Sequence, residues 1–183
     1  MEQKFDFVEV TLDPSDYDRV KEVYRLHKEQ AHKLFDLTSG ISTDDDIMDY
    51  IKDKIEYNVV LLGIDKETNK YGGVIILEDF HFFNDEISSV RCHLVVGKKY
   101  WGKLSRQLIL DCYSYLNNNM KRIRRMECSV PSNNYCIIKL LKDVGFKVEG
   151  TMRNKLVFRN KLDKPKYYNE LMYSNLNIGD YNG

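Results

Sequence analysis

The chain has 183 residues, 43% hydrophobic and 31% charged, a length and balance that exclude a disordered or fibrous polymer and suit one folded domain over residues 1–183. Lys plus Arg equals Asp plus Glu at 28 each, so no bulk charge argues for a nucleic acid or an anionic membrane as partner. Cys92, Cys112, Cys128 and Cys136 form no C-x-x-C pair and stand in apolar runs, which argues against a zinc site and for reduced, buried thiols.

Phe5 to Leu12 alternates apolar and polar residues and predicts a strand. Asp13-Pro14-Ser15-Asp16 then reads as a helix start, followed by Val20, Val23, Tyr24, His27, Ala31 and Leu34 on one helical face. His27 and His32 on that helix read as structural or exposed. Thr43 before three aspartates offers a second N-cap, with Ile47, Tyr50, Ile51 and Ile55 at helical spacing. Asn58 to Ile64 and Tyr71 to Leu77 are apolar runs joined by a polar turn, which predicts a hairpin.

Ile87 to Val96 is the next expected strand, Gly97 to Lys103 a loop, and Leu104 to Leu116 a helix. Arg124 to Val130 reads as a strand, Asn133 to Asp143 as a helix stopped by Gly145, and Lys147 to Phe158 and Tyr167 to Ser174 as closing strands. Three adjacent central strands imply antiparallel pairing, whereas the strand–helix–strand unit after them implies a parallel pair. Tyr167 to Ser174 is the kind of sheet edge through which a homodimer can form. The N-terminal MEQKFDF lacks an apolar secretory core, and no run approaches the roughly 20 apolar residues of a membrane span, so the expected location is the cytoplasm.

The informative loop is Val96-Gly97-Lys98-Lys99-Tyr100-Trp101-Gly102-Lys103-Leu104-Ser105. A strand runs into a basic, glycine-containing loop that opens a helix, and free backbone N–H groups at a helix start attract phosphate. Gly97 to Lys103 fits the nucleotide-binding pattern G-x-x-x-x-G-K, yet Leu104 stands where a Ser or Thr should hold magnesium. Lys99-Tyr100-Trp101-Gly102-Lys103 instead resembles the acyl-CoA loop [QR]-x-x-G-x-[GA] of the GNAT acyltransferases, in the Tyr-Trp-Gly-Lys form of their ribosomal-protein N-terminal acetyltransferase branch. It departs in having Lys at the first position and no second glycine before Leu104.

A second run decides between the readings. Asn134, Leu140, Leu141, Gly145, Phe146, Glu149, Gly150 and Arg153 match, without a gap, the GNAT run N-x-x-S-x-x-L-L-x-x-x-G-F-x-x-E-G-x-x-R, with Ile137 at its serine. Asn134 can cap a helix and still present its amide, Gly145 supplies a left-handed stop, and Phe146 packs under the sheet.

This resemblance implies an α/β (α+β) domain with a mixed, mostly antiparallel sheet flanked by helices, whose strands Ile87 to Val96 and Arg124 to Val130 run parallel and splay apart. It implies acetyl-CoA as acyl donor, with pantetheine against the backbone of Leu94 and Val96. The pyrophosphate would lie on Lys99, Tyr100, Trp101, Gly102, Lys103, Leu104 and Ser105, and the Asn134 amide would touch the donor. The implied reaction is direct attack by an amine, a protein N-terminus or a small molecule. The tyrosine acid of many relatives would fall at Leu141 and is absent. His93 is the candidate base, with Glu127 and Ser129 on the neighbouring strand in reserve, and Cys92 faces away from His93 into the core. Phe80 to Phe83, Tyr167 and Tyr168 are candidate walls of an acceptor pocket or plain packing residues. The missing glycine, Ile137 and Leu141 keep open an alternative, a GNAT-like binding protein without catalysis.

Overall fold

Residues 3–34, 39–84, 86–120, 122–159 and 164–176 are described by a computed structural model. Strand β1 (Phe5–Glu9) leads through a 3-10 turn at Pro14–Asp16 into helix α1 (Tyr17–Leu34), followed by α2 (Asp44–Tyr57). Strands β2 (Val59–Asp65), β3 (Lys70–Phe83) and β4 (Glu86–Val96) follow, then α3 (Lys103–Asn119), β5 (Met126–Pro131), α4 (Tyr135–Asp143), β6 (Lys147–Arg159) and β7 (Pro165–Asn175). The seven strands form one sheet in the order β1-β2-β3-β4-β5-β7-β6. All neighbours are antiparallel except β4 and β5, so the expected α/β domain with a mixed sheet and a parallel central pair is observed.

Local chemistry sets the element ends. Thr43 and Asp46 form a reciprocal capping box at the start of α2, as the Thr-Asp-Asp-Asp run predicts. Gly145 has φ +95°, the left-handed stop after α4. Asn134 stands at the N-cap of α4, but its side chain makes no capping bond. The expectation that it caps the helix is therefore corrected, and its amide stays free for another partner. Strand β7 lies between β5 and β6, so the expected edge at Tyr167 to Ser174 is interior, and the sheet edges are β1 and β6. The thiols are all free as expected, but Cys136 is exposed rather than buried, because it stands on the first turn of α4 facing solvent.

Alternation along the strands divides the core in two. Val60, Leu62, Val74, Ile76 and Val95 face α1 and α2, where Val23, Leu26 and Ile51 are buried against them. Leu61, Ile75, Leu77, Met126, Cys128 and Val130 face α3 and α4. Helix α3 seats on the sheet through Leu108, which sits over Gly63 and Gly73, a pair across β2 and β3. A Cβ on Gly73 would lie 2.7 Å from Leu108 and 2.8 Å from the Val95 carbonyl oxygen, so only glycine permits this seat. The seat fixes where α3 begins, directly beyond the end of β4.

Asp111 ties the other side of α3 to β1. Its carboxylate, 3% exposed, accepts the Lys4 and Phe5 backbone N–H groups, both at 2.9 Å, and the Gln107 side-chain amide at 2.8 Å. Asp111→Ala leaves these donors without their acceptor and is expected to lower stability by roughly 3 kcal/mol, measured by urea unfolding at neutral pH.

Candidate active site

The site begins where a ladder ends. Strands β4 and β5 pair only at Val90–Met126 and Arg91–Glu127, after which the register stops. The Gly97 N–H bonds the Gly72 carbonyl on β3 at 2.9 Å, and the Val90 N–H bonds Arg125 on the β5 side at 3.0 Å. By alternation, the polar backbone groups of Leu94 and Val96 face the side from which β5 has departed. The splay expected between these strands is present.

Two contiguous cavities meet at this break. One, of about 450 Å³, is an outer groove lined by Gln30, Trp101, Gly102, Lys103, Ser105 and Arg106, with α4 residues opposite. The other, of about 420 Å³, contains His27, Tyr50, His93, Ser129 and Glu170 on its walls. Leu94, Val95, Asn134 and Ile137 line both.

The outer groove combines backbone donors at a helix start with positive side chains. Gly102 has φ +89°, a backbone conformation L side chains rarely adopt, and sits at the N-cap of α3. The first backbone bond of that helix comes from Arg106 to the Gly102 carbonyl, so the N–H groups of Lys103, Leu104 and Ser105 precede the ladder. The Ser105 hydroxyl donates to the Gly102 carbonyl at 2.7 Å and pins the turn. Lys103 and Arg106 add positive charge to the wall. The Val96 carbonyl is already bonded by the Trp101 indole at 3.1 Å and the Gln30 amide at 3.3 Å, which leaves Leu94 as the open backbone contact on β4. Trp101 thus serves the groove by holding the strand end. Tyr100 is turned into the core against Phe5, Leu104 packs with the same cluster, and Lys99 points to solvent off the groove wall.

The inner cavity carries the titratable groups. His93 Nε2 lies 2.6 Å from Glu78 Oε1, and Glu78, 7% exposed, also pairs with Lys54. The His93 hydrogen bond above all, assisted by Lys54 and opposed by burial, holds the Glu78 carboxyl at about 2. Because an ionised carboxylate only accepts, the proton of this bond belongs to Nε2, and the Nδ1 edge of the His93 ring is turned away from Glu78. His27 Nδ1 donates to the Val23 carbonyl at 2.8 Å, and burial lowers its pKa to about 4. Burial first, then Glu78, raises the Tyr50 hydroxyl to about 12. Near neutral pH the wall therefore presents a neutral imidazole at His27 and a neutral phenol at Tyr50, with a charged Glu78 behind His93.

Ser129 donates to Glu170 Oε1 at 2.8 Å, and both line the inner cavity. Continuing the Arg91–Glu127 register by two residues would set His93 opposite Ser129, so the cavity opens between them. Glu127 is not on either wall; Arg125 binds it together with Glu149. Phe82, Phe83 and Tyr167 are each more than 60% exposed, at 62%, 66% and 62%, and stand off both walls, where Leu156 and Phe158 are found instead. The side chain of His32 lies outside the described residues. Sequence reading missed Glu78, Tyr50 and Glu170, which come from β3, α2 and β7; only the fold brings them to His93 and Ser129.

No family model and no curated protein matches the sequence. Solved structures do match the fold. A ribosomal-protein alanine acetyltransferase from Vibrio fischeri is 14% identical with a TM-score of 0.69, covering 100% of this chain and 98% of its own. An acetyltransferase from Salmonella typhimurium that modifies the N-terminal serine of a 50S ribosomal subunit protein is 14% identical with a TM-score of 0.70, covering 96% of each chain. Spermidine N-acetyltransferase from Vibrio cholerae, solved with CoA and spermine, is 13% identical with a TM-score of 0.69, also over 96% of each chain. The fold of this chain is that of the GNAT acetyltransferases. Among the described residues, no helix is long and apolar enough to cross a membrane.

The buried His27 makes stability depend on pH. Its pKa is about 4 folded against 6.5 in the open chain, so between these values the unfolded state binds more protons. Stability is full above about pH 6.5 and falls by roughly 3 kcal/mol as pH drops through the folded value. His27→Gln removes this loss, and urea unfolding at pH 7 and pH 5 is expected to show a smaller difference in the variant.

Proposed function

We propose that the protein is an acyl-CoA-dependent N-acyltransferase that carries an acetyl group from acetyl-CoA to a primary amine, either a protein N-terminus or a small molecule. The observation that carries this reading is the interrupted β4–β5 ladder standing between the two cavities. The outer groove offers unpaired N–H groups at a helix start, positive side chains and an unbonded Asn134 amide, which suit a pyrophosphate joined to an amide-bearing arm. Bound there, acetyl-CoA supplies a thioester whose carbonyl carbon an amine can attack.

In this reading the N–H groups of Lys103, Leu104 and Ser105 and the charges of Lys103 and Arg106 hold the phosphates. The open backbone of Leu94 and the Asn134 amide hold the arm. His93 then takes the proton that an attacking amine must lose, since amines with pKa values of about 8 to 10 arrive largely protonated at neutral pH. Glu78 fixes the imidazole with its Nδ1 open, and Lys54 keeps Glu78 itself charged and in place. Ser129 and Glu170 form a polar opposite wall, where a hydroxyl and a carboxylate can receive an acceptor's N–H groups. Glu127, held by Arg125, serves the sheet rather than the reaction. The amine-acetylating neighbours support this class of acceptor.

Thermal unfolding with acetyl-CoA tests the donor site. A ligand at a hundredfold excess over its Kd adds about 2.7 kcal/mol, so a clear rise in midpoint is expected with acetyl-CoA and none with ATP and magnesium. No rise at millimolar acetyl-CoA overturns the proposal. With turnover established on an amine panel, His93→Ala should cut kcat about a hundredfold or more. Binding of acetyl-CoA without turnover of any amine would favour the non-catalytic alternative.

A further inference from the structure

The inner cavity does not stop at the sheet. His93, Ser129 and Glu170 lie on the face toward α1 and α2, yet the same cavity is also walled by Cys92, Cys112, Cys128, Ile109, Met126 and Leu141. These six belong to the core on the opposite face, packed between the sheet, α3 and α4. The cavity therefore threads the splay and continues as a chamber behind it. Side chains in protein cores ordinarily interdigitate with few voids larger than a water. A space that reaches residues as buried as Cys112, 1% exposed, is a departure from such packing.

The walls of the chamber are apolar and uncharged. Burial pushes the Cys112 thiol up, and a hydrogen bond that the Cys128 thiol gives to Cys92, followed by burial, does the same for Cys128, so both remain protonated. Neutral buried thiols behave as small hydrophobes and are poor nucleophiles and poor metal ligands. Among the described residues no group of His, Cys, Asp and Glu is arranged to hold a metal. Ile137 and Leu141 continue the apolar surface from α4. Apart from the buried phenol of Tyr113, which has Asn175 as a partner, such a lining offers nothing to an anion or an amine. It suits a hydrocarbon chain.

We infer that the chamber behind the splay receives the acyl chain of the donor, so that acyl groups longer than acetyl are accepted at the same site and bound more tightly. The inference rests on the donor reading above, in which the thioester lies in the splay. A longer chain then has an apolar route, away from His93 and past the Cys92–Cys128 pair toward Cys112 and Ile109. The three cysteines set the depth: each is smaller than the leucine or methionine that would close the route.

Calorimetric titration of the full chain with CoA, acetyl-CoA, butyryl-CoA and hexanoyl-CoA tests this without requiring an acceptor. Each methylene buried beyond acetyl can tighten binding about fourfold, so hexanoyl-CoA is expected to bind at least tenfold more tightly than acetyl-CoA. Cys128→Leu and, separately, Cys112→Met should reduce that ratio toward one, with circular dichroism checking that each variant folds. If acetyl-CoA binds and hexanoyl-CoA binds no more tightly, the inference is overturned while the donor reading stands. If the ratio persists undiminished in both folded variants, the chain lies elsewhere and the inference is equally overturned. If none of the four binds, the donor reading falls first.

Discussion

A parallel strand pair that parts in the middle of a sheet is the constraint around which this molecule is arranged. Backbone N–H and C=O groups removed from water need partners, and an interior strand ordinarily finds them on both sides. Strand β4 has β3 along its length but loses β5 after Arg91. The exposed edge is then either solvated or bonded by whatever enters. The surrounding structure keeps the gap from closing. Strand β7 occupies the far edge of β5 from Met126 to Pro131, so β5 is anchored away from β4. Leu108 over the Gly63–Gly73 pair sets α3 beneath the sheet, and the start of α3 caps the gap at the end of β4.

Charge is placed with the same economy. The formal net charge is +0, and near the inner cavity the buried carboxylate Glu78 is matched by Lys54 and bonded to His93. A buried carboxylate with no cation would be protonated and could not fix the imidazole. With the His93 hydrogen bond first and Lys54 after it, Glu78 stays ionised and fixes the orientation of the imidazole. Its position follows from the backbone: Asp79 has φ +51°, and the β3–β4 register slips between Glu78 and His81. The bulge turns the end of β3 just after the residue that must meet His93.

The periodicities and turn residues made most of the fold legible. Thr43 before its aspartates, the polar turn after Ile64 and Gly145 after Asp143 each mark a boundary by local chemistry that the structure reproduces. The outer groove was legible for the same reason, since its donors come from one continuous loop and helix start. The inner cavity was not. Glu78, Tyr50 and Glu170 stand 15, 43 and 77 residues from His93 along the numbering, and no local pattern announces that they meet. The position of β7 was misread because strand order is decided by which edge a returning strand finds, a long-range matter on which local alternation is silent. Asn134 was misread in a more useful way: placed to cap a helix, it leaves its side chain uncommitted beside both cavities.

The departures from the GNAT pattern have a common physical sense. Leu104, where a second glycine is expected, does not obstruct the groove, because its side chain packs with Phe5, Tyr100 and Leu108. Ile137 and Leu141, where a serine and a tyrosine are expected, lie on the inner cavity and exchange two hydroxyls for alkyl surface. A hydroxyl on an apolar wall must find a partner or lose stability, so the two replacements are consistent with each other and with the thiol-lined space behind them. In the proposed reaction, proton transfer is then left to the His93 side of the sheet, where Glu78 and Lys54 hold the imidazole. The two faces of the splay divide the work: polar chemistry in front, a dry wall behind.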